Sequence, residues 1–144
     1  MITVKEIKNN KDYKKAQEIR HEVFVIGQKV PAELEVDDFE KDAIHYLAFF
    51  NNNPVGAARW RITNEGVKLE RFAVLGEYRG RGIGSAMVEK ILSDIKRDPE
   101  AGNLEIYLHA QLDAISLYRK YGFVKYGNMF DEAGLMHYAM RLPK

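Results

Sequence analysis

A glycine-rich loop between an apolar strand and an amphipathic helix constrains this chain more than any other feature. The loop reads Arg-Gly-Arg-Gly-Ile-Gly over residues 79–84. Glycines at alternate positions let a ligand approach the backbone closely, and a helix that starts here directs its free N–H groups at the same point. Together with two arginines that can donate bidentate hydrogen bonds, this predicts a site for phosphate or pyrophosphate.

The flanking residues predict the order strand, loop, helix. Residues 67–75 alternate in polarity, and apolar residues after the loop recur at helical spacing (Ile83, Met87, Val88, Ile91, Leu92 and Ile95). The dinucleotide-binding pattern G-x-G-x-x-G fits poorly. Its third glycine position holds Ser85 when the count starts at Gly80, and Met87 when it starts at Gly82. A Walker A loop fits poorly as well, because it needs a lysine that is absent here. An ordinary glycine-rich turn is the competing interpretation, and the arginines and both flanks favour phosphate binding over it.

Two motifs resemble the GNAT superfamily of N-acetyltransferases. The loop follows a strand that contains Phe-Ala-Val at 72–74, and is similar to the acetyl-CoA signature R/Q-x-x-G-x-G/A. Residues 114–123, AISLYRKYGF, are similar to A-x-x-L-Y-x-x-x-G-F. Further segments resemble the ElaA/YjcF-like branch: Val23-Phe24-Val25, Gln28, the acidic run to Asp38, Ala110-Gln111 and residues 130–137. Gly27 departs from that branch, which has an acidic residue there, so no acceptor contact is carried over from this position.

Pattern and resemblance together predict one α+β domain over residues 1–144. We expect a central mixed, mostly antiparallel sheet flanked by helices, with Asp12 as the cap of the first helix. The resemblance implies that the strands holding Ala73 and Leu108 splay apart to form the acyl-CoA notch. Strands are expected at 2–8, 44–50, 55–63, 67–75, 104–109, near 124–126 and at 135–142.

The resemblance also implies the contacts of acetyl-CoA, the expected cosubstrate. Backbone groups of Phe72 and Ala73 would contact the pantetheine arm, and the N–H of Val74 would stabilise the oxyanion. The loop would hold the pyrophosphate through Arg79, Gly80, Arg81, Gly82, Ile83, Gly84 and Ser85. No metal is expected, because the four histidines lack a paired spacing and the acidic loop lacks the EF-hand ligand order.

Acetyl transfer to an amine needs an acid for the departing thiolate and a base for the amine. Tyr118 matches the family's acid tyrosine, and a phenol, with a pKa of about 10, is protonated at neutral pH. A tyrosine packed in the core is the alternative.

The base stays open between two residues. Glu70 ranks first and would act through an ordered water. The alternation of side chains along a strand is expected to place it on the same face as Phe72 and Val74. His109 ranks second because it ends the other splayed strand and titrates near neutrality. A salt-bridge role for Glu70 and a structural role for His109 are the alternatives.

Two more histidines are assigned from their surroundings in the sequence. His137 lies in the branch-like segment and is a candidate for lining the acceptor site, with a structural role as the alternative. His45 lies on an apolar strand and is expected to be a hydrogen-bonded core histidine.

Composition excludes several classes of function. The chain has no cysteine, which excludes disulfides, thiolate metal sites and an acyl-cysteine intermediate, and favours direct attack in a ternary complex. A net charge of +1 without a basic stripe argues against nucleic acid. No apolar run is long enough to span a bilayer, and the first residues do not resemble a signal peptide, so a cytoplasmic protein is expected.

The expected reaction is acetyl transfer from acetyl-CoA to a primary amine of a small molecule. The alternatives are a non-catalytic acyl-CoA-binding or sensing module and an acetyltransferase for protein lysines or N-termini. The acidic residues between Glu33 and Asp42 are expected to form a solvated surface, and attraction of a cationic amine is the less favoured interpretation. The terminal strand could offer an edge for a homodimer.

Overall fold

A seven-stranded mixed sheet forms the centre of the protein in the computed structural model, which describes residues 1–144. The strands are β1 (Ile2–Glu6), β2 (Ile44–Phe50), β3 (Asn53–Thr63), β4 (Gly66–Val74), β5 (Ile106–Gln111), β6 (Val124–Glu132) and β7 (Leu135–Leu142). Their spatial order is β1-β2-β3-β4-β5-β7-β6, and only β4 and β5 run parallel to one another. This confirms the mixed, mostly antiparallel sheet, whereas β7 is interior and the terminal strand offers no free edge.

Four helices flank the sheet: α1 (Asn10–Arg20), α2 (Ala32–Glu35), α3 (Ile83–Arg97) and α4 (Ile115–Arg119). A π-helical segment, His21–Gly27, continues α1. The first helix is capped by Asn9, whose side chain accepts a hydrogen bond from the Asp12 N–H at 2.8 Å. The expected cap at Asp12 is therefore wrong, because the helix starts one turn earlier and Asp12 lies in its first turn.

The two faces of the sheet carry separate clusters of buried side chains. The larger cluster, of 18 buried residues, lies under α3 and α4 and includes Trp60, Met87 and Ile91. The smaller cluster, of eight, lies under α1 and the π-helical segment and includes Ile19 and Leu47. A ligand between β4 and β5 therefore meets a different set of side chains on each face.

The strands β4 and β5 stay together for only three residue pairs. Pairing runs from Val67 with Ile106 to Leu69 with Leu108, after which β5 pairs with β7 alone. The strands separate beyond Leu69, and the sheet opens in the segment that contains Ala73. This is the notch that the resemblance implied.

A bulge in β4 changes which side chains face each side of this notch. Arg71 has a φ of +59°, and the pairing of β3 with β4 slips between Ala57 and Arg59. Because the extra residue shifts the alternation, Phe72 packs on the same cluster as Leu69. Glu70 consequently lies on the opposite face from Phe72 and Val74, and the expected shared face is wrong.

Candidate active site

One cleft of about 900 Å³ connects the glycine loop to the far side of the sheet. It passes between β4 and β5 and is lined near its middle by Tyr118. At its far end it is lined by the π-helical segment, by α2 and by the β6–β7 hairpin. Eight of the ten residues expected to contact acetyl-CoA line the cleft, and the two exceptions are Ala73 and Arg81. All three expected catalytic residues line it as well.

The loop ends in a helix N-terminus that no side chain caps. Gly80 and Gly82 have φ values of +77° and +88°, a region that residues with a side chain rarely adopt, and Gly82 is the N-cap of α3. A Cβ at Gly80 would meet no atom within 4 Å. The first N–H groups of α3, from Ile83 to Ser85, lack partners within the helix, so they are free to bind an anion.

Gly84 serves a different purpose from the other two glycines. A Cβ on Gly84 would lie 3.1 Å from Leu117 Cδ2, so this glycine allows α3 and α4 to pack closely. The next residue, Ser85, accepts a hydrogen bond from Lys120 Nζ at 2.6 Å. These contacts join the loop to the helix that carries Tyr118.

The two loop arginines point to different places. Arg79 lines the cleft and donates from Nε to the carbonyl oxygen of Val74 at 3.2 Å. The Arg81 guanidinium lies 5.3 Å from the ring centre of Phe50 and 5.4 Å from that of Tyr78, outside the cleft. Only Arg79 is placed beside a ligand bound along the β4 backbone.

Tyr118 is a buried tyrosine whose hydroxyl opens into the cleft. It is 6% exposed, and its ring packs edge-on against Phe72 at 5.8 Å and Phe123 at 6.0 Å. The hydroxyl makes no hydrogen bond within the protein. Because every fully occluded polar side-chain atom has a partner, the Tyr118 hydroxyl is not fully occluded. Burial raises the pKa of Tyr118, so its proton is retained at neutral pH.

Glu70 is committed to ion pairs on the α1 face of the sheet. Its Oε2 accepts hydrogen bonds from Arg59 Nε at 2.7 Å and Arg61 Nε at 2.8 Å. Burial alone would raise the pKa of Glu70, but the attraction of Arg59, with Arg61 and Lys68, outweighs burial and lowers it. A carboxylate held in this way is a weak proton acceptor.

His109 forms a hydrogen-bonded pair with Glu132. Its Nδ1 lies 2.9 Å from Glu132 Oε1, and both side chains line the cleft. A carboxylate accepts hydrogen bonds, so Nδ1 carries a proton, and in the neutral ring the lone pair lies on Nε2. The hydrogen bond from His109 lowers the pKa of Glu132, which stays ionised.

His137 completes this cluster from the neighbouring strand. Its Nδ1 donates to the carbonyl oxygen of Leu135 at 2.8 Å, and its Nε2 lies 3.9 Å from Glu132 Oε2. The ring of Phe130 stacks on His137 and meets His109 edge-on. The β6–β7 hairpin therefore supplies most of the surroundings of His109.

His45 lies away from the cleft. Its Nε2 is 2.8 Å from the carbonyl oxygen of Glu40, and its ring meets Tyr13 edge-on. Burial lowers the pKa of His45, which favours the neutral ring. These contacts give it the structural role expected from the sequence.

The acidic run is not a solvated surface throughout, because half of it faces two buried arginines. Arg20, 1% exposed, donates from Nε to Glu35 Oε2 at 2.7 Å and from Nη1 to Glu40 Oε1 at 2.8 Å. Arg59, fully buried, donates to Asp37 Oδ1 at 3.0 Å and also bonds Glu40. The sequence pattern could not show this, since the arginines lie on α1 and β3.

The structure adds three polar residues to the far end of the cleft. The side-chain amides of Gln28 and Gln111 exchange two hydrogen bonds, at 2.9 and 3.0 Å. Glu132 holds His109, as described above. The resemblance included all three in its matching segments without a role, and their contacts depend on tertiary pairings that local spacing does not reveal.

Two properties of the whole structure bear on function. No group of three or more histidine, aspartate or glutamate side chains is arranged to hold a metal ion. None of the helices combines the length and the hydropathy needed to cross a membrane.

Comparison with known proteins identifies the family. A family model described as an acetyltransferase (GNAT) domain matches residues 9–144. YjcF of Bacillus subtilis, named an uncharacterized N-acetyltransferase, is 37% identical over 134 residues, which cover 92% of this chain and 94% of YjcF.

Solved structures agree in fold. ElaA of Escherichia coli has a TM-score of 0.83 at 23% identity, with 99% of this chain and 100% of ElaA covered. An acetyltransferase of Bacillus subtilis, solved in complex with CoA, has a TM-score of 0.72 at 17% identity, with 99% and 98% covered. The match to the family model and the 37% identity to YjcF show that the chain belongs to the GNAT superfamily of acetyltransferases.

Proposed function

We propose that this protein transfers an acetyl group from acetyl-CoA to a primary amine of a small molecule, by direct attack in a ternary complex. The observation that carries this proposal is the single cleft that joins the glycine loop, the unpartnered hydroxyl of Tyr118 and the His109–Glu132 pair. An anion site, an acid and a base thus lie along one path.

The loop suits the pyrophosphate of acetyl-CoA. The free N–H groups at the start of α3 and the guanidinium of Arg79 supply donors and positive charge. The pantetheine arm would then follow the β4 backbone at Phe72, Ala73 and Val74, which places the thioester in the notch. The CoA complex of the Bacillus subtilis neighbour supports this choice of cosubstrate.

Tyr118 is suited to protonate the leaving group. The amine nitrogen attacks the thioester carbonyl carbon, and the C–S bond breaks as the tetrahedral intermediate collapses. The thiolate then takes the proton of Tyr118, which burial keeps in place until that step. The N–H of Val74 is the proposed donor to the oxyanion that forms before the collapse.

His109 is a better candidate for the base than Glu70. Glu132 fixes the His109 tautomer with a lone pair on Nε2, and the pair lines the cleft. Glu70 already accepts hydrogen bonds from two arginines, so we assign it the role of holding Arg59 and Arg61. With no cysteine in the chain, no acyl-cysteine intermediate competes with direct attack.

The walls of the far end favour a compact acceptor. Residues of the π-helical segment, of α2 and of the β6–β7 hairpin line this end together. Clefts of this size class typically hold small molecules, and acetyl-CoA itself takes up part of the space.

The test is release of free thiol from acetyl-CoA with a panel of small primary amines and with peptides, with products identified by mass spectrometry. We expect turnover with at least one small amine. Acetylation of peptides or proteins alone would contradict the acceptor class. Tight CoA binding without thiol release from any acceptor would favour a sensing module instead.

A further inference from the structure

We propose that Lys68 binds a carboxylate carried by the acceptor, so that the acceptor is an amino-acid-like molecule with both an amine and a carboxylate. This inference rests on the proposed function, because it names the class of acceptor for the same cleft. It differs from the idea that acidic residues attract a purely cationic amine.

The Lys68 ammonium is enclosed but poorly bonded. Its side chain is 15% exposed and lines the cleft. It makes no hydrogen bond within the protein, and its closest carboxylate oxygen is Glu70 Oε1 at 3.4 Å. Three N–H donors are therefore available in a partly desolvated site, where a bond between charged groups is stronger than in water.

The single negative charge of Glu70 does not balance the positive charges on this wall of the cleft. Arg61 and Lys68 both pair with Glu70 and have no other carboxylate within 4 Å, although Glu132 attracts Lys68 from farther away. Arg59 also bonds Glu70, although Asp37 and Glu40 balance its charge. One carboxylate thus faces two cations that depend on it, and an anionic group of a ligand would restore the balance.

Four of the carboxylates along the cleft already have a partner. Glu35, Asp37 and Glu70 pair with arginines, and Glu132, whose side chain is 43% exposed, bonds His109. Asp113 also lines the cleft, but it is solvent-exposed on the turn before α4. The enclosed part of the site therefore offers no free carboxylate to a second ammonium group, which disfavours polyamines.

Lys68 and His109 share one face of the sheet. Lys68 pairs with Tyr107 across the β4–β5 ladder, and His109 lies two residues beyond Tyr107. Side chains two residues apart on a strand point to the same side. An acceptor lying along this face can place its carboxylate at Lys68 while its amine approaches His109 and the thioester.

The experiment compares matched acceptor pairs, each an amino acid and its decarboxylated amine: lysine with cadaverine, alanine with ethylamine, and 4-aminobutyrate with propylamine. We expect kcat/KM to be higher for the member with the additional carboxylate by about tenfold or more, as expected for one bond between charged groups. The series also varies the separation between the amine and the carboxylate.

Variants assign that preference to one residue. Lys68→Met keeps the length of the side chain and should raise KM for the amino acids without changing KM for the amines. Lys125→Met is the matched control, because Lys125 lies on exposed β6 outside the cleft. Equal kcat/KM within every pair, or a preference that survives in Lys68→Met, would overturn the inference while leaving the proposed function intact.

A binding measurement does not depend on turnover. The ε-methylene NMR signal of Lys68, assigned by its loss in Lys68→Met, should shift with the amino acid of a pair and not with its amine. The wild-type protein suffices for this comparison if the variant fails to fold. A shift without thiol release would support the carboxylate site and contradict the proposed reaction, whereas no shift with any amino acid would overturn the inference.

Discussion

The two ends of the cleft are built in different ways. The loop end consists of consecutive residues, 79–85, whose backbone N–H groups and left-handed glycines form the proposed anion site. The far end consists of side chains from four distant segments, represented by Gln28, Lys68, His109 and Glu132. A backbone site needs a short local motif, whereas a side-chain site needs the whole sheet to be assembled, and the two should respond differently to mutation.

The largest expected effect separates chemistry from cofactor binding at Tyr118. Tyr118→Phe removes the proposed acid but keeps the ring packed on Phe72 and Phe123. We expect kcat to fall on the order of 10²-fold while the Kd for CoA stays nearly unchanged. Steady-state kinetics and calorimetry measure the two quantities, and turnover within about twofold of wild type would reduce Tyr118 to a packing residue.

The next effect is expected at the far end, in Glu132→Gln. The amide can still accept the hydrogen bond from His109, but the charge that stabilises protonated His109 is lost. We expect kcat to fall by about tenfold, toward the lower end of general-base contributions, with KM for acetyl-CoA unchanged. Asp131→Asn, on the same strand and outside the cleft, is the control. An equal loss in both variants would show that the hairpin fold, and not the pair, is responsible.

A pair of glycine variants tests the loop end. At Gly82, with a φ of +88°, an alanine costs about 1–2 kcal/mol, so we expect the Kd for CoA to rise by up to about tenfold in Gly82→Ala. At Gly84 the added methyl meets the flexible side chain of Leu117, and CoA binding should change much less. Calorimetric titration with CoA distinguishes them, and an equal loss of affinity would contradict the separate roles of these glycines.

The smallest expected effect concerns stability in acid. Burial opposes ionisation of Asp37, Glu40 and Glu70, but their arginine partners outweigh burial. The pKa of each group is therefore lower than its ordinary value, which is 3.8 for Asp37 and 4.5 for the two glutamates. A carboxyl group whose pKa is lower in the folded than in the unfolded protein stabilises the fold at pH values above its unfolded pKa. This stabilisation is lost as the pH falls through the folded pKa.

We therefore expect the free energy of unfolding to fall as the pH is lowered from about 7 to about 3. Urea unfolding at several pH values measures it, and Asp37→Asn should show a shallower dependence because one of the linked carboxylates is gone. A stability that is independent of pH over this range would contradict the account of the arginine pairs.

The sequence predicted the parts of the structure that depend on local patterns. Strand β2 was expected at 44–50 and lies there, and the loop lies between β4 and α3 as its flanks indicated. The bulge at Arg71 was missed because nothing in the alternation of β4 marks an extra residue, and this reversed the face assigned to Glu70. Strand β6 is longer than expected because its exposed residues carry no apolar period.

The far end of the site was harder to predict for a related reason. Buried Arg20 and Arg59 neutralise carboxylates of the acidic run that are distant along the chain, so a charge run alone could not distinguish a solvated surface from an internal network. The partner of His109 depends on the register of β5 with β7 and of β7 with β6, which brings Glu132 to it. That register is a property of the folded sheet.

A crystal structure of the protein with CoA tests the central claim most directly. The account predicts that the pyrophosphate accepts hydrogen bonds from the N–H groups of residues 82–85, and that the CoA sulfur lies within hydrogen-bonding distance of the Tyr118 hydroxyl. A pyrophosphate bound away from the loop, or a sulfur on the far side of β4 from Tyr118, would contradict it.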